Sequence, residues 1–367
     1  MTIIKIEQPQ GELPKFEPEL LKTNQAQIAK NCKLDRGSIR PINKSKYIKY
    51  ISSDVKTIFK NNNIWLTFNI ETDVIQSPVN SLDERYYYTN KTGQYKADND
   101  TFSSILLGVP QPDVGPTLNI EGNASEDAQI VRSSVYVYTR VTEWGEESAP
   151  SQPSGQVDLK EGQYVSFQNL DYAISHVSHY RIYRPVAGKQ SSAYMAVPYQ
   201  TTPGKLKYNE DNTIIYNIPV GKIQEAVDGV KDSDLSIPLE TTDWYEPPSN
   251  LHCLTDISNG IVAGLSDKQV CFSEPWFPYA WPTKYQYAMD NTGVAIGTLA
   301  GSVPISFTNQ SIYYFEGSDP TSYITKKISD IHGCVSKRSV VSTMHGVYFA
   351  SLNGLCRVTN NGVENLT

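Results

Sequence analysis

Three segments in the last third of this 367-residue chain repeat one pattern at a nearly constant interval. Each has an apolar alternating run, a short polar turn and a second run rich in aromatics, at residues 260–275, 303–320 and 346–362. The turns centre on Asp267-Lys268, Asn309-Gln310 and Asn353-Gly354, 42 and 44 residues apart. Alternation with period two belongs to a strand with two unlike faces. An Asn-Gly pair accepts the positive φ of a tight hairpin turn. A lone hairpin cannot bury both faces, so hairpins recurring every ~40–50 residues are expected to stack as propeller blades. Earlier copies are expected at 55–69, turning at 61–63, and at 85–97.

A different module is expected over 109–222, opened by a link rich in Pro and Gly. In residues 133–142, Val135, Val137, Thr139 and Val141 fall on one face and Tyr136, Tyr138, Arg140 and Thr142 on the other. That is the alternation of a half-buried strand. Further short runs follow around Val157, Tyr164, Tyr180, Tyr194 and Ile214. About seven short strands in about a hundred residues suit an immunoglobulin-like or fibronectin-type-III-like sandwich. The stretch 231–250 is polar and Pro-bearing, as a boundary should be. Helix is expected only around 20–31, on the strength of Ala26 and Ala29.

Composition supports many strands and many turns. Tyr is heavily used, at 24 residues, while 23 Gly and 22 Pro are scattered along the chain. Tyr packs its ring on a pleated surface and keeps its hydroxyl wet. Net charge is −7 but uneven: residues 1–60 carry 12 Lys+Arg against 6 Asp+Glu, and the remainder 20 against 33. An acidic body argues against a nucleic-acid clamp, which needs a basic face to release counterions. The basic start reads as an arm docking on a neighbour. No stretch approaches the ~20 apolar residues of a membrane span. No apolar core of a signal peptide is seen, so folding in a cytoplasm is expected. Five cysteines, Cys32, Cys253, Cys271, Cys334 and Cys356, form no CxxC pair and read as small buried hydrophobes.

The usual signatures of catalysis and metal binding are missing from the sequence. His176 and His179 lack an acidic or Cys partner at ligand spacing. His252-Cys253 and His332-Gly333-Cys334 could supply a Cys–His nucleophile, but neighbouring positions on a strand point to opposite faces. Asp228, Asp232 and Asp234 read as a solvated acidic linker, without the distal Glu of a calcium loop. Carboxylate pairs from distant strands leave no local signature, so a propeller glycosidase stays open. Trp276, Phe277, Tyr279 and Trp281 cluster with three prolines. Such a corner can be a sugar platform, and more often packs on a core or another subunit.

Several of these segments resemble one family. Residues 25–42, with Ala26, Ala29, Asn31, Leu34, Gly37, Arg40 and Pro41, resemble the N-terminal segment of tail proteins of short-tailed bacteriophages. The run VYVYTRVTEWGEESAPSQPS (135–154), which holds Trp144, resembles the strand pair of their fibronectin-like module, and HYRIYRPVAG (179–188) another of its strands. Residues 270–282 and 334–358 resemble their propeller part. The resemblance is to the tail nozzle, or tail tubular protein B-like, family. It implies a non-enzymatic virion protein without cofactor, folded in the host bacterial cytoplasm. Such proteins form a homo-oligomeric, commonly hexameric ring that contacts adaptor and portal-side proteins, fibres or spikes, and the genomic DNA passing through. This chain stops soon after a blade-like hairpin, whereas members of that family are commonly longer. A receptor- or carbohydrate-binding tail protein is the alternative.

The expected fold is therefore all-β, a β-propeller-like domain with an inserted immunoglobulin- or fibronectin-type-III-like sandwich. Residues 1–108 would be docking arm and first blades, 109–222 sandwich, 223–250 linker and 251–367 further blades. Assembly is expected to use Asn31, Leu34, Gly37, Arg40 and Pro41 in the arm, with Trp144, Trp276, Phe277, Tyr279 and Trp281.

Overall fold

The computed structural model describes residues 8–34, 37–79, 84–98, 103–168, 170, 174, 176–186 and 194–367. Two compact units divide the chain between Ser53 and Asp54. Strands dominate the described residues, and every helical segment there is a short 3-10 turn, the longest being Val220–Glu225.

In the first unit, Cys32–Lys33 pairs antiparallel with Arg40–Pro41. The helix expected at 20–31 does not form. The backbone donors go across instead: Gln10 donates to the Asn24 carbonyl (2.8 Å), Ala26 to Gly11 (3.1 Å) and Leu13 to Ala26 (2.7 Å). A helix this short is marginal without an apolar face to pack, and Ala26 and Ala29 would share their face with Lys22, Thr23 and Lys30.

Among its described residues the second unit contains four antiparallel meanders of four strands each. They run over Thr72–Gln76 to Ile105–Leu106, His252–Ile257 to Gln286–Ala288, Gly293–Leu299 to Ile324–Ser329, and Val341–Thr343 to Gly362–Asn365. A two-stranded hairpin, Thr57–Asn61 with Ile64–Phe68, precedes the first. The repeat seen in the sequence is thus the two middle strands of each of the last three meanders. Their turns are not all alike. Ser266 pairs with Gln269 around Asp267-Lys268, and Asp267 has φ +49. At the last, Ser351 pairs with Gly354, so Leu352-Asn353 is the turn and Gly354 opens the returning strand. At Asn309-Gln310 the loop is longer, because the Thr308 hydroxyl accepts the N–H groups of Gln310 (3.2 Å) and Ser311 (2.8 Å).

Neighbouring meanders share cores. Leu66 of the hairpin packs with Tyr86 and Tyr88. Ile75 and Tyr87 pack with Leu254, Val262 and Trp281 of the second meander. Phe272 packs with Phe315 of the third, and Phe307 with Phe349 of the fourth. Among the described residues no sheet closes on itself.

Between the first and second meanders lies the other module. One sheet holds Val137–Thr142, Val177–Pro185, Tyr194–Ala196 and Ile218–Pro219, and a second holds Thr117–Glu121, Tyr164–Gln168 and Val227–Asp228. Its core joins Tyr136, Tyr138, Phe167, Tyr180 and Ile182. The strand expected to be half-buried is buried on both faces from Val137 to Thr142. Part of the stretch expected as linker belongs to this module as well: Val227–Asp228 pairs with Tyr164–Gln168, and Val230 and Leu235 enter the core.

Candidate functional site

Buried charge gathers where the middle module meets the meanders, at Glu146 and Glu147. The strand Val137–Thr142 ends in a turn in which Gly145 donates to the Thr142 carbonyl (3.0 Å), with Gly145 at φ +77. The turn delivers two successive carboxylates to different places, as alternation requires. Glu146 faces the first meander. Lys96 of Gly93–Asp98 is 1% exposed, and its Nζ donates to Glu146 Oε2 and to the Leu107 carbonyl (3.2 Å). Arg85 Nη1 donates to Glu146 Oε1 (3.4 Å), and the Arg85 guanidinium lies 4.2 Å from the Trp144 ring centroid. Burial pulls the Lys96 ammonium below the ordinary lysine value, against the opposing pull of Glu146.

Glu147 faces the middle module. Its carboxylate accepts from Thr139 Oγ1, Tyr183 Oη and Arg181 Nη1, each at 2.6 Å. Its N–H donates to the Tyr279 hydroxyl (3.4 Å) in the second meander. Burial and the nearby Glu147 carboxylate push the Tyr183 phenol above its ordinary value. Every formal charge here has an opposite partner and fixed donors. Such a cluster acts as a clamp that ties three parts of the chain together, since a separated member would be a buried unpaired charge.

The residues after the clamp extend it. Ser148, Ser151 and Ser154 donate their N–H groups to the carbonyls of Arg140 (3.0 Å), Tyr138 (2.8 Å) and Tyr136 (2.8 Å). Their hydroxyls accept the N–H groups of the same three residues, at 3.0, 3.1 and 2.9 Å. Pro150 and Pro153 lie between them and have no N–H to offer a ladder. The serine hydroxyls thus keep the strand's donors satisfied along a segment that cannot pair as an ordinary strand. The same device recurs at Ser273, two residues before Pro275, which pairs with Val262 in both directions (2.8 and 2.9 Å).

A second cluster sits inside the middle module. Asp228 and Arg184 are both fully buried. Asp228 Oδ2 accepts from Arg184 Nε (2.7 Å) and the Tyr136 hydroxyl (2.8 Å), and lies 3.2 Å from Arg132 Nη2. Arg184 Nη1 reaches Asp232 (2.5 Å). Asp228 and Asp232, expected in a solvated linker, are therefore ion-paired, because Arg184 projects inward from Val177–Pro185 and needs a carboxylate there.

The aromatic corner divides. Trp281 is 1% exposed and Tyr279 is buried, so both serve the chain's own core and cannot present a docking face. Trp276 is 55% exposed at φ +66, and Phe277 is exposed beside Trp244 (4.4 Å between ring centroids). Trp144 is half-buried under Arg85. In the first unit, Asn31 has φ +59 and its carbonyl accepts from the Ile42 N–H (3.1 Å), Gly37 has φ +65, and Arg40 and Pro41 lie in the ribbon, with Leu34 half-buried.

His179 Nδ1 contacts Ser178 Oγ (2.8 Å), and Cys356 Sγ lies 3.8 Å from His332 Nδ1. Burial pushes the Cys356 thiol up, away from a thiolate nucleophile. Among the described residues no group of three His, Cys, Asp or Glu side chains could hold a metal ion. The sequence reading missed Lys96, Arg85, Glu146 and Glu147 as a site. The two glutamates were in view within residues 135–154, and Lys96 carried a signal as the one charge between Tyr95 and Ala97 in an alternating run. Scanned against protein-family models, the chain matches none, and no curated protein matches it.

Proposed function

We propose that the chain is a structural virion protein, one subunit of a ring-shaped phage tail nozzle or hub. In this reading the meanders are blades of a propeller-like body and the middle module is an inserted immunoglobulin- or fibronectin-type-III-like sandwich. The observation that carries it is the clamp at Glu146-Glu147, in a segment resembling the nozzle family, which spends its charges on joining parts of the chain. The stacked meanders support the same reading, as does an ion pair between Lys337 and Asp73 (3.0 Å), which links the lead-in of the last meander to the first. An acidic body suits a channel for genomic DNA, because negative walls repel the phosphate backbone and let it slide. The ring would sit in the virion between adaptor or portal-side proteins and fibres or spikes, and the subunit would perform no chemistry.

Quantitative mass spectrometry of virions carrying this protein tests the proposal. About six or twelve copies per particle is the expected result. Absence from the particle, or a single copy, would overturn it. A second reading, a glycan-binding tail protein, is favoured by one observation, the exposed Trp276 and Phe277; specific binding on a glycan array by the purified chain would support it.

A further inference from the structure

A cavity of about 620 Å³, lined mostly by polar and charged residues, opens where the first meander meets His252 and Lys337. Its size lies within the range of small-molecule sites, roughly 300–1,000 Å³. Its lining is unlike the rest of the body in sign: Lys56, Lys91 and Lys337 face two carboxylates, Glu71 and Asp73, in a chain whose net charge is −7. The cavity is held by contacts distant in sequence. Asp73 accepts the Cys253 N–H (2.8 Å) and both of its oxygens contact Lys337 Nζ (3.0 and 3.1 Å). With Asp73 committed to Lys337, the ammonium groups of Lys56 and Lys91 have no ion pair among the described residues. Thr89 supplies the other observation. It is 1% exposed, lines the cavity, and its hydroxyl has no hydrogen-bond partner among the described residues. A buried hydroxyl left unmatched is costly, and a ligand that engages it removes the cost.

We propose that this cavity binds a small phosphate ester, with Lys56 and Lys91 neutralising the phosphate and Thr89 hydrogen-bonding it. Lysine holds phosphate as a point charge without demanding a fixed fork geometry. No Phe, Tyr or Trp is among the described lining residues, which fits an anion better than a stacked sugar. The site stands independently of the ring reading, since it needs only one folded chain.

Isothermal titration with inorganic phosphate, glycerol phosphate and a short DNA duplex, at constant ionic strength, tests it. Glycerol phosphate is expected to bind, and Lys91→Gln and Thr89→Val are each expected to weaken it about tenfold, with unchanged circular dichroism. Lys91 is exposed, so its replacement leaves the fold intact even where Thr89→Val disturbs it. Binding of inorganic phosphate with the same dependence on Lys91 supports the proposal. No heat from either phosphate, equal binding by wild type and Lys91→Gln, or binding of the duplex alone would overturn it.

Discussion

Glu146 accepts from two cations, Lys96 and Arg85, and the first of these is almost wholly buried. Removing one member of such a group leaves the other as a buried unpaired charge, which costs about 3–5 kcal/mol. Glu146→Ala is expected to lose that much in urea unfolding, whereas the double change Lys96→Met with Glu146→Leu should recover most of it. Equal losses in the single and double variants would refute the clamp. Thiols and phenols make a second prediction at this scale. Burial pushes Cys253 and Cys271 up to about 12, and likewise Tyr87 and Tyr323. A group whose pKa is higher folded than unfolded binds its proton more tightly in the native state. Its stabilisation is complete below the ordinary thiol value of 9.0 and is lost as pH rises toward 12. Unfolding midpoints should therefore be level on the neutral side and fall steeply above it. Of the five cysteines only Cys32 is not buried, so one thiol should react with an aromatic disulfide reagent before denaturation and five after.

Among elements, the serine-proline segment beside Val137–Thr142 is the most open to test. Ser151→Ala leaves the Tyr138 N–H without the hydroxyl that now accepts it, at a buried position. A loss of about 1–3 kcal/mol is expected, with Ser151→Thr much milder because it keeps the oxygen. Thermal unfolding of the pair distinguishes this from a packing effect, which would make Thr the worse of the two. The hairpins were legible beforehand because period-two alternation and turn residues are local properties of the chain. Registers were less so: Leu352-Asn353 turns where Asn353-Gly354 was expected, since cross-strand pairing of Ser351 with Gly354 decides it. The strand at Val137–Thr142 looked half-buried because its alternation shows two chemical faces. It could not show that both faces are covered: Tyr138 enters the module's core on one, and on the other the Thr139 hydroxyl donates to the Glu147 carboxylate.

At the scale of the molecule, the exposed Trp276 is the prediction's focus. A bulky residue at positive φ is strained, and an Asn there is not. Trp276→Asn is expected to leave monomer stability within about 1 kcal/mol while weakening self-association in sedimentation. Unchanged association would remove Trp276 from the proposed assembly surface. Of the candidate site, the sequence held only the Glu146-Glu147 half, because its partners lie far along the chain: Arg85 and Lys96 precede it, and Arg181, Tyr183 and Tyr279 follow. What the sequence determined by itself was the all-β class and the repeated hairpin, since alternation and turn chemistry act over a few residues. Which carboxylate meets which cation, and which of the corner aromatics is buried, was decided only by tertiary structure. Ion pairing and burial depend on distances in space, and neighbouring residues do not encode them.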